Sequence, residues 1–168
     1  MHPTPQEKLA ASVFSLGLRH GFVRREDVVR WADRRVEISD TPEEWLIDLS
    51  LSPTFHAEDL VSLLDRIADG VDRVATCNAV YALLPDAGGL SFDEAAAYAA
   101  RVYRITYDCL GGDWSYELLG VTDQIADDFD FLYLRATEDD VVGALRQFVE
   151  SHRDEQIVRL LDPVRWSA

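Results

Sequence analysis

The longest helix signal of this chain lies in residues 91–112, SFDEAAAYAARVYRITYDCLGG. Ser91 and Glu94 form a capping box at its start, because the serine hydroxyl accepts from a free backbone N–H and the glutamate bonds back to the cap. Apolar residues then recur at helical spacing until Gly111 and Gly112, which readily adopt the left-handed backbone of a helix end. This stretch therefore predicts one long amphipathic helix.

The same start and stop signals recur along the whole chain. Threonine-led boxes occur at Thr4-Pro5-Gln6-Glu7, at Thr41-Pro42-Glu43-Glu44 and, more loosely, at Thr137-Glu138-Asp139-Asp140. Further stop signals occur at Gly17, Gly21, Gly70, Gly88 and Gly89. Because the segments between these marks carry apolar residues at helical spacing, they predict an all-α fold.

The predicted architecture is an irregular, orthogonal bundle of seven or eight helices. Short loops favour antiparallel neighbours, but the unequal helix lengths argue against a regular four-helix bundle. The length of 168 residues and the absence of a repeat or a Gly/Ser linker favour a single domain over residues 1–168, with residues 1–4 expected to be disordered.

The composition excludes several classes of function. The chain has 48% hydrophobic residues, enough for a real core, and 31 acidic against 16 basic residues give a net charge of -15. Such a charge opposes binding to nucleic acid or to an anionic membrane surface. The sequence shows neither a secretory signal nor a stretch of about 20 apolar residues, so we expect a cytoplasmic protein.

The negative charge is concentrated in residues 113–140, which contain nine acidic residues and one base, for a net charge of -8. At about 100° per residue, Asp123, Asp127 and Asp130 lie opposite the apolar stripe that we assign to the seventh helix. A solvated face is one interpretation of this row. A second is a docking surface for a basic protein, extended by the acidic residues at the start of the eighth helix, Glu138, Asp139 and Asp140. A third is a site for calcium or magnesium, although the row lacks the spacing of a calcium-binding loop.

The second helix has the opposite bias. Six arginines fall within seventeen residues: Arg19, Arg24, Arg25, Arg30, Arg34 and Arg35. Because arginine complements carboxylates, this pattern predicts pairing with acidic residues of neighbouring helices. The alternative is contact with an acidic stretch of a second copy, which would make the protein a structural or regulatory homodimer.

No motif in the sequence identifies a reaction. The histidines lack zinc-hydrolase spacing, although His56 and His152 each lie near carboxylates, and a small carboxylate- or metal-dependent hydrolase is the alternative function. We therefore assign no catalytic residue, metal ligand or cofactor. Asp48, the one charge within the apolar run from Trp45, is expected to reach solvent or pair with an arginine.

The two cysteines, Cys77 and Cys109, each lie within a predicted helix. Two cysteines are too few for a disulfide framework, and the sequence around each offers little to activate a thiol. We expect both to be reduced, half-buried side chains. Among the aromatic residues, Trp31, Trp114 and Tyr116 are expected to pack between helices.

Residues 21–52, from the Gly21-Phe22-Val23 turn through Arg30-Trp31-Ala32-Asp33 to Trp45-Leu46-Ile47-Asp48, carry a resemblance to a known group. They resemble the opening of small all-helical bacterial proteins of unknown function, some of which look like immunity proteins beside secreted toxins. The resemblance implies an intracellular interaction protein and transfers no functional residue. The leading hypothesis is a cytosolic binding protein with an acidic surface for a basic partner such as a toxin.

Overall fold

A computed structural model describes residues 2–52, 55–84, 89–130 and 137–152, and the regular structure of these ranges is helical throughout. The eight helices are α1 (Pro5–Arg19), α2 (Arg25–Glu37), α3 (Glu44–Ser50), α4 (Ala57–Ile67), α5 (Arg73–Leu83), α6 (Phe92–Leu110), α7 (Glu117–Asp130) and α8 (Glu138–Ser151). The predicted all-α fold is therefore confirmed. Within these ranges, no helix has the length and apolar character needed to cross a bilayer.

The helices pack around one continuous hydrophobic core. Helix α1 packs on α4 and α5, α6 packs on α5 and α7, and α8 contacts α5, α6 and α7, while α2 and α3 pair with each other. The longest helix has 19 residues and the shortest has seven, as expected for an irregular bundle. Phe14 and Tyr81 are among the largest fully buried side chains of this core.

Three of the four predicted capping boxes are present. Thr4, Ser91 and Thr137 each accept from the backbone N–H three residues on, and the acidic side chain at that position accepts from the cap's own N–H. Thr4 is thereby fixed as a helix cap, although residues 1–4 are expected from the sequence to be disordered.

The box predicted at Thr41 is wrong. Helix α3 begins at Glu44, with Glu43 as its N-cap, and the Glu43 side chain makes no capping bond. Only seven residues are helical, among which Leu46 and Leu49 are buried against the core. The packing of these two leucines sets the residue at which the helix begins, and this tertiary interaction overrides the local capping signal at Thr41.

The stop predicted at Gly17 is also wrong, because α1 continues to Arg19. The chain folds back at this point, and the backbone N–H groups of Phe22 and Val23 donate to the Gly17 carbonyl at 3.0 and 3.1 Å. A Cβ at position 17 would lie 2.0 Å from Val23 Cγ2. The glycine is required for this close approach, and the left-handed residue that follows the helix is Gly21, with φ of 70°.

The three tryptophans in the described ranges divide between the core and the surface. Trp31 packs edge-to-face on Phe14, with 5.3 Å between ring centroids, and its ring lies 6.3 Å from that of Trp45. The expectation that Trp114 packs between helices is wrong, since its side chain is 57% exposed. Asp48 is exposed, as expected from the cost of burying a lone carboxylate.

Candidate functional site

The acidic residues predicted on α7 do not form one solvent-facing row. Asp127 is exposed, Asp123 is half-buried, and the side chain of Asp130 lies outside the described part of the structure. The deeply buried positions of α7 are Leu119, Thr122 and Phe129. On a helical wheel at about 100° per residue, the centre of these three positions lies about 70° from Ile125, which belongs to the apolar stripe assigned from the sequence. Asp123 therefore lies at the edge of the buried face.

Asp123 lies near Tyr103 of α6. Desolvation and then the negative charge of Asp123 raise the pKa of Tyr103, and the charge of Asp127 acts in the same direction. Half-buried Asp123 therefore borders the side of α7 that packs on α6.

The acidic residues at the start of α8 are all exposed, but they differ in role. Asp140 accepts from the Thr137 hydroxyl at 2.7 Å and from the Thr137 backbone N–H at 3.1 Å. These hydrogen bonds hold the pKa of Asp140 below its ordinary value. Asp140 thus fixes the start of the helix, whereas Glu138 and Asp139 are the exposed acids beside it.

Helices α7 and α8 are in contact, and the start of α7 lies near the end of α8. Tyr116 and Glu117 at the start of α7 and His152 at the end of α8 line one surface cavity of 440 Å³. The end of α7 and the N-cap of α8 are separated by only six residues of chain, 131–136, so they lie within about 25 Å of each other. We call the exposed acids near these two ends, Asp127, Glu138 and Asp139, the acidic end.

The arginines of the second helix and its surroundings are partly used within the fold. Arg35 Nη2 lies 2.9 Å from Glu7 Oε1 and joins α2 to α1, and Arg19 pairs with Asp65 of α4. Arg30 lies 3.8 Å from Asp27 on its own helix. Pairing with acidic residues of neighbouring helices, as the sequence predicted, is confirmed for Arg35 and Arg19, whereas Arg30 pairs within its own helix.

The two histidines considered for hydrolysis do not come together with a carboxylate cluster. His56 is the exposed N-cap residue of α4. The His152 ring lies against the rings of Tyr81 and Phe148, and its Nδ1 is 2.8 Å from the Phe148 carbonyl oxygen. In the described ranges, no group of three or more His, Cys, Asp or Glu residues could hold a metal ion.

A polar groove of 380 Å³, which the sequence analysis did not identify, lies between α1, α5, α6 and the connection from α4 to α5. On α1 the groove is lined by Ser12, Ser15 and Arg19, spaced three and four residues apart on a helix that is otherwise largely buried. Ser15 and Arg19 both bond to Asp65. The sequence does show these polar residues on α1, but Asp65, which bonds to Arg19 and Ser15, is 46 and 50 residues away from them along the chain. The sequence alone therefore gave no sign of the groove.

The opposite wall of this polar groove is built by α5 and α6. Thr76 shares a hydrogen bond of 3.0 Å with Ser12, and Arg73 Nη1 donates to the Leu110 carbonyl oxygen at 3.2 Å. The Cys109 thiol also lines the groove and donates to the Arg73 carbonyl at 3.2 Å. These contacts hold the start of α5 against the end of α6.

Comparison with protein-family models, with curated proteins and with solved structures finds no significant match. The functional assignment therefore depends on the charges, contacts and exposure described above.

Proposed function

We propose that this chain is a cytoplasmic, non-enzymatic binding protein that docks a basic protein through its acidic end. The observation that supports this proposal is the exposure of Asp127, Glu138 and Asp139 at two helix ends that only six residues of chain separate. Clustered carboxylates on one surface attract a cationic partner, speed its association and disfavour acidic competitors.

The distribution of the remaining charge supports this assignment of the binding surface. Three of the arginines near the opposite end of the sequence are paired with Glu7, Asp27 and Asp65 within the fold. Within the described ranges, none of the three acids of the acidic end forms an ion pair, and the cap of α8 is supplied by Asp140 instead.

The most specific form of the proposal is neutralisation of a basic toxin. A nuclease binds phosphates in a cationic cleft, and an acidic helical surface can occupy that cleft by presenting carboxylates in place of phosphates. A secreted basic toxin encoded beside this chain would be the natural partner. Contact of α2 with a second copy, in a homodimer, stays a prediction that sizing at low and high salt can test.

The experiment is capture of basic proteins on the immobilised full chain at low and at high ionic strength. The test variant is Asp127→Asn/Glu138→Gln/Asp139→Asn, which keeps Asp140 and therefore the cap of α8. We expect it to weaken capture by about tenfold, since three exposed charges contribute a few tenths of a kcal/mol each. The same binding should weaken steeply with added salt.

The matched control is Glu37→Gln/Asp40→Asn/Asp69→Asn, which removes three exposed negative charges elsewhere on the molecule. It should leave capture within about twofold of the wild-type value, because only distant charge is lost. The proposal is wrong if no basic protein is captured at low salt, or if the two triple variants weaken capture equally.

A further inference from the structure

The two cysteines of this chain meet where α5 packs against α6. Cys109 Sγ lies 3.2 Å from the carbonyl oxygen of Arg73, and Cys77 follows Arg73 by one helical turn on α5. In an α-helix the carbonyl of Arg73 accepts from the backbone N–H of Cys77, so Cys109 Sγ lies beside the turn of α5 that carries Cys77. Although they are separated along the chain, the two cysteines are therefore neighbours in the fold.

The two thiols differ in their access to solvent. Cys77 is fully buried, with 0% of its surface exposed, whereas Cys109 is half-buried and lines the polar groove. A small reagent in the groove can reach Cys109 but not Cys77. The neighbouring Cys109 side chain and burial both raise the pKa of the Cys77 thiol, so Cys77 is protonated in the folded protein.

We propose that Cys77 and Cys109 form an oxidation site, at which a hydroperoxide entering the polar groove converts the two thiols into an intramolecular disulfide. Cys109 reacts first, because only its thiol lines the groove, and buried Cys77 reacts second. The cysteine pair thus differs from an inert packing pair, for which neither thiol would need access to solvent.

In the first step, the Cys109 sulfur attacks the hydroperoxide, the O–O bond breaks, and one oxygen stays on sulfur as a sulfenic acid. With hydrogen peroxide as oxidant, the other oxygen leaves as water with the thiol proton. In the second step, the Cys77 sulfur attacks the Cys109 sulfur, the S–S bond forms and the S–O bond breaks. The Cys77 proton leaves with the hydroxyl group as a second water, so two thiols lose two electrons and the peroxide gains them.

The disulfide would covalently join α5 to α6 in the core of the bundle. It would close a loop of about 30 residues, which restricts the unfolded chain and raises the melting temperature by about 10 °C. A dithiol reductant would return two electrons and reverse both changes. The oxidised protein is therefore the more rigid form, with the α5–α6 wall of the polar groove locked.

The experiment treats the reduced, full-length wild-type chain with hydrogen peroxide, blocks the remaining thiols under denaturing conditions, and measures the intact mass. We expect a monomer that is lighter by two hydrogen atoms, carries no blocked cysteine and melts at the higher temperature, with full reversal by dithiothreitol. Peptide mapping should place the disulfide between residues 77 and 109.

The single variants separate the roles of the two thiols. Cys77→Ser should leave Cys109 as a sulfenic acid that dimedone traps, whereas in Cys109→Ser the buried Cys77 should remain reduced. The proposal is overturned if both wild-type thiols survive the peroxide, if Cys109 is overoxidised without closing on Cys77, or if the disulfide joins two chains. Because the wild-type measurement is decisive by itself, the outcome does not depend on how well either variant folds.

Discussion

His20 is a partly buried histidine next to Asp108, a residue that lines the polar groove. Its side chain is 8% exposed and follows the last turn of α1, with Nε2 3.0 Å from Asp108 Oδ2 but without the alignment of a hydrogen bond. Burial lowers the pKa of His20, and the nearby guanidinium groups of Arg101 and Arg104 act in the same direction. The Asp108 carboxylate offsets only part of this effect, so the folded protein holds His20 neutral more strongly than the unfolded chain does.

This environment predicts a pH-dependent loss of stability. A histidine with a depressed pKa takes up its proton more readily in the unfolded chain, so the free energy of unfolding should fall as pH drops below about 6.5. His20→Asn should flatten this fall between about pH 7.5 and pH 5.5, by up to about 1 kcal/mol. Urea denaturation at a series of pH values measures this fall in the free energy of unfolding. The matched control is exposed His2→Asn, and an unchanged slope in His20→Asn would contradict the buried neutral state.

Glu7 shows how a single residue can serve both an element and the tertiary fold. Partial burial on its own would raise the pKa of Glu7, but hydrogen bonds from Thr4 and the guanidinium of Arg35 outweigh it and hold the pKa below its ordinary value. The first bond belongs to the capping box of α1, and the second joins α1 to α2. The sequence indicated the cap, while only the fold revealed Arg35 as the second partner.

At the scale of the helix, two nearly identical boxes have opposite outcomes. Thr4 caps α1, with its hydroxyl oxygen accepting from the Glu7 N–H at 3.2 Å, whereas Thr41 lies outside α3. The difference arises because α3 is short and its start is set by packing on α2. A local signal determines a helix start only when the following residues can continue the helix into a buried position.

This contrast predicts unequal effects of two equivalent substitutions. Thr4→Ala should lower the free energy of unfolding by about 1 kcal/mol, because it removes a helix cap. Thr41→Ala should change it by less than about 0.5 kcal/mol, as for an ordinary surface position. Urea denaturation of both variants and the wild type makes the comparison, with Thr41→Ala as the control. Equal losses would show that Thr41 caps a helix in solution.

Helix α7 illustrates why the face of a helix is harder to predict than its existence. Apolar periodicity located α7 correctly, but the buried face includes Thr122 and excludes Val121, which is 40% exposed. The Thr122 hydroxyl bonds back to the Leu118 and Leu119 carbonyl oxygens at 3.1 Å, so its polar group costs little when buried. Because Thr122 is buried in place of Val121, the buried face of α7 is rotated toward Asp123, which is half-buried and near Tyr103.

Over the whole molecule, the net charge of -15 acts on folding and binding in opposite ways. Like charges repel one another in the compact state, so screening by salt stabilises the fold. The same screening weakens attraction to a basic partner. The two effects can therefore be separated by measuring both over one range of ionic strength.

We expect the melting temperature to rise as sodium chloride increases from about 20 mM to about 200 mM, a range over which the Debye length falls severalfold. The triple variant of the acidic end should show a smaller rise, because it carries less charge. Thermal denaturation followed by circular dichroism tests this. A melting temperature that falls with salt would mean instead that native ion pairs such as Glu7–Arg35 outweigh the overall repulsion.

The sequence by itself determined the all-α class, three of the four predicted capping boxes, and the concentration of acidic charge in residues 113–140. The first two properties depend on interactions within about four residues, such as a capping box or one turn of apolar spacing. Only the tertiary structure decided the rotation of α7, the start of α3, the polar groove and the position of Cys109 beside the turn of α5 that carries Cys77. Those features depend on residues far apart in the chain, such as Ser12 and Thr76, 64 positions apart, which become neighbours only when the helices pack.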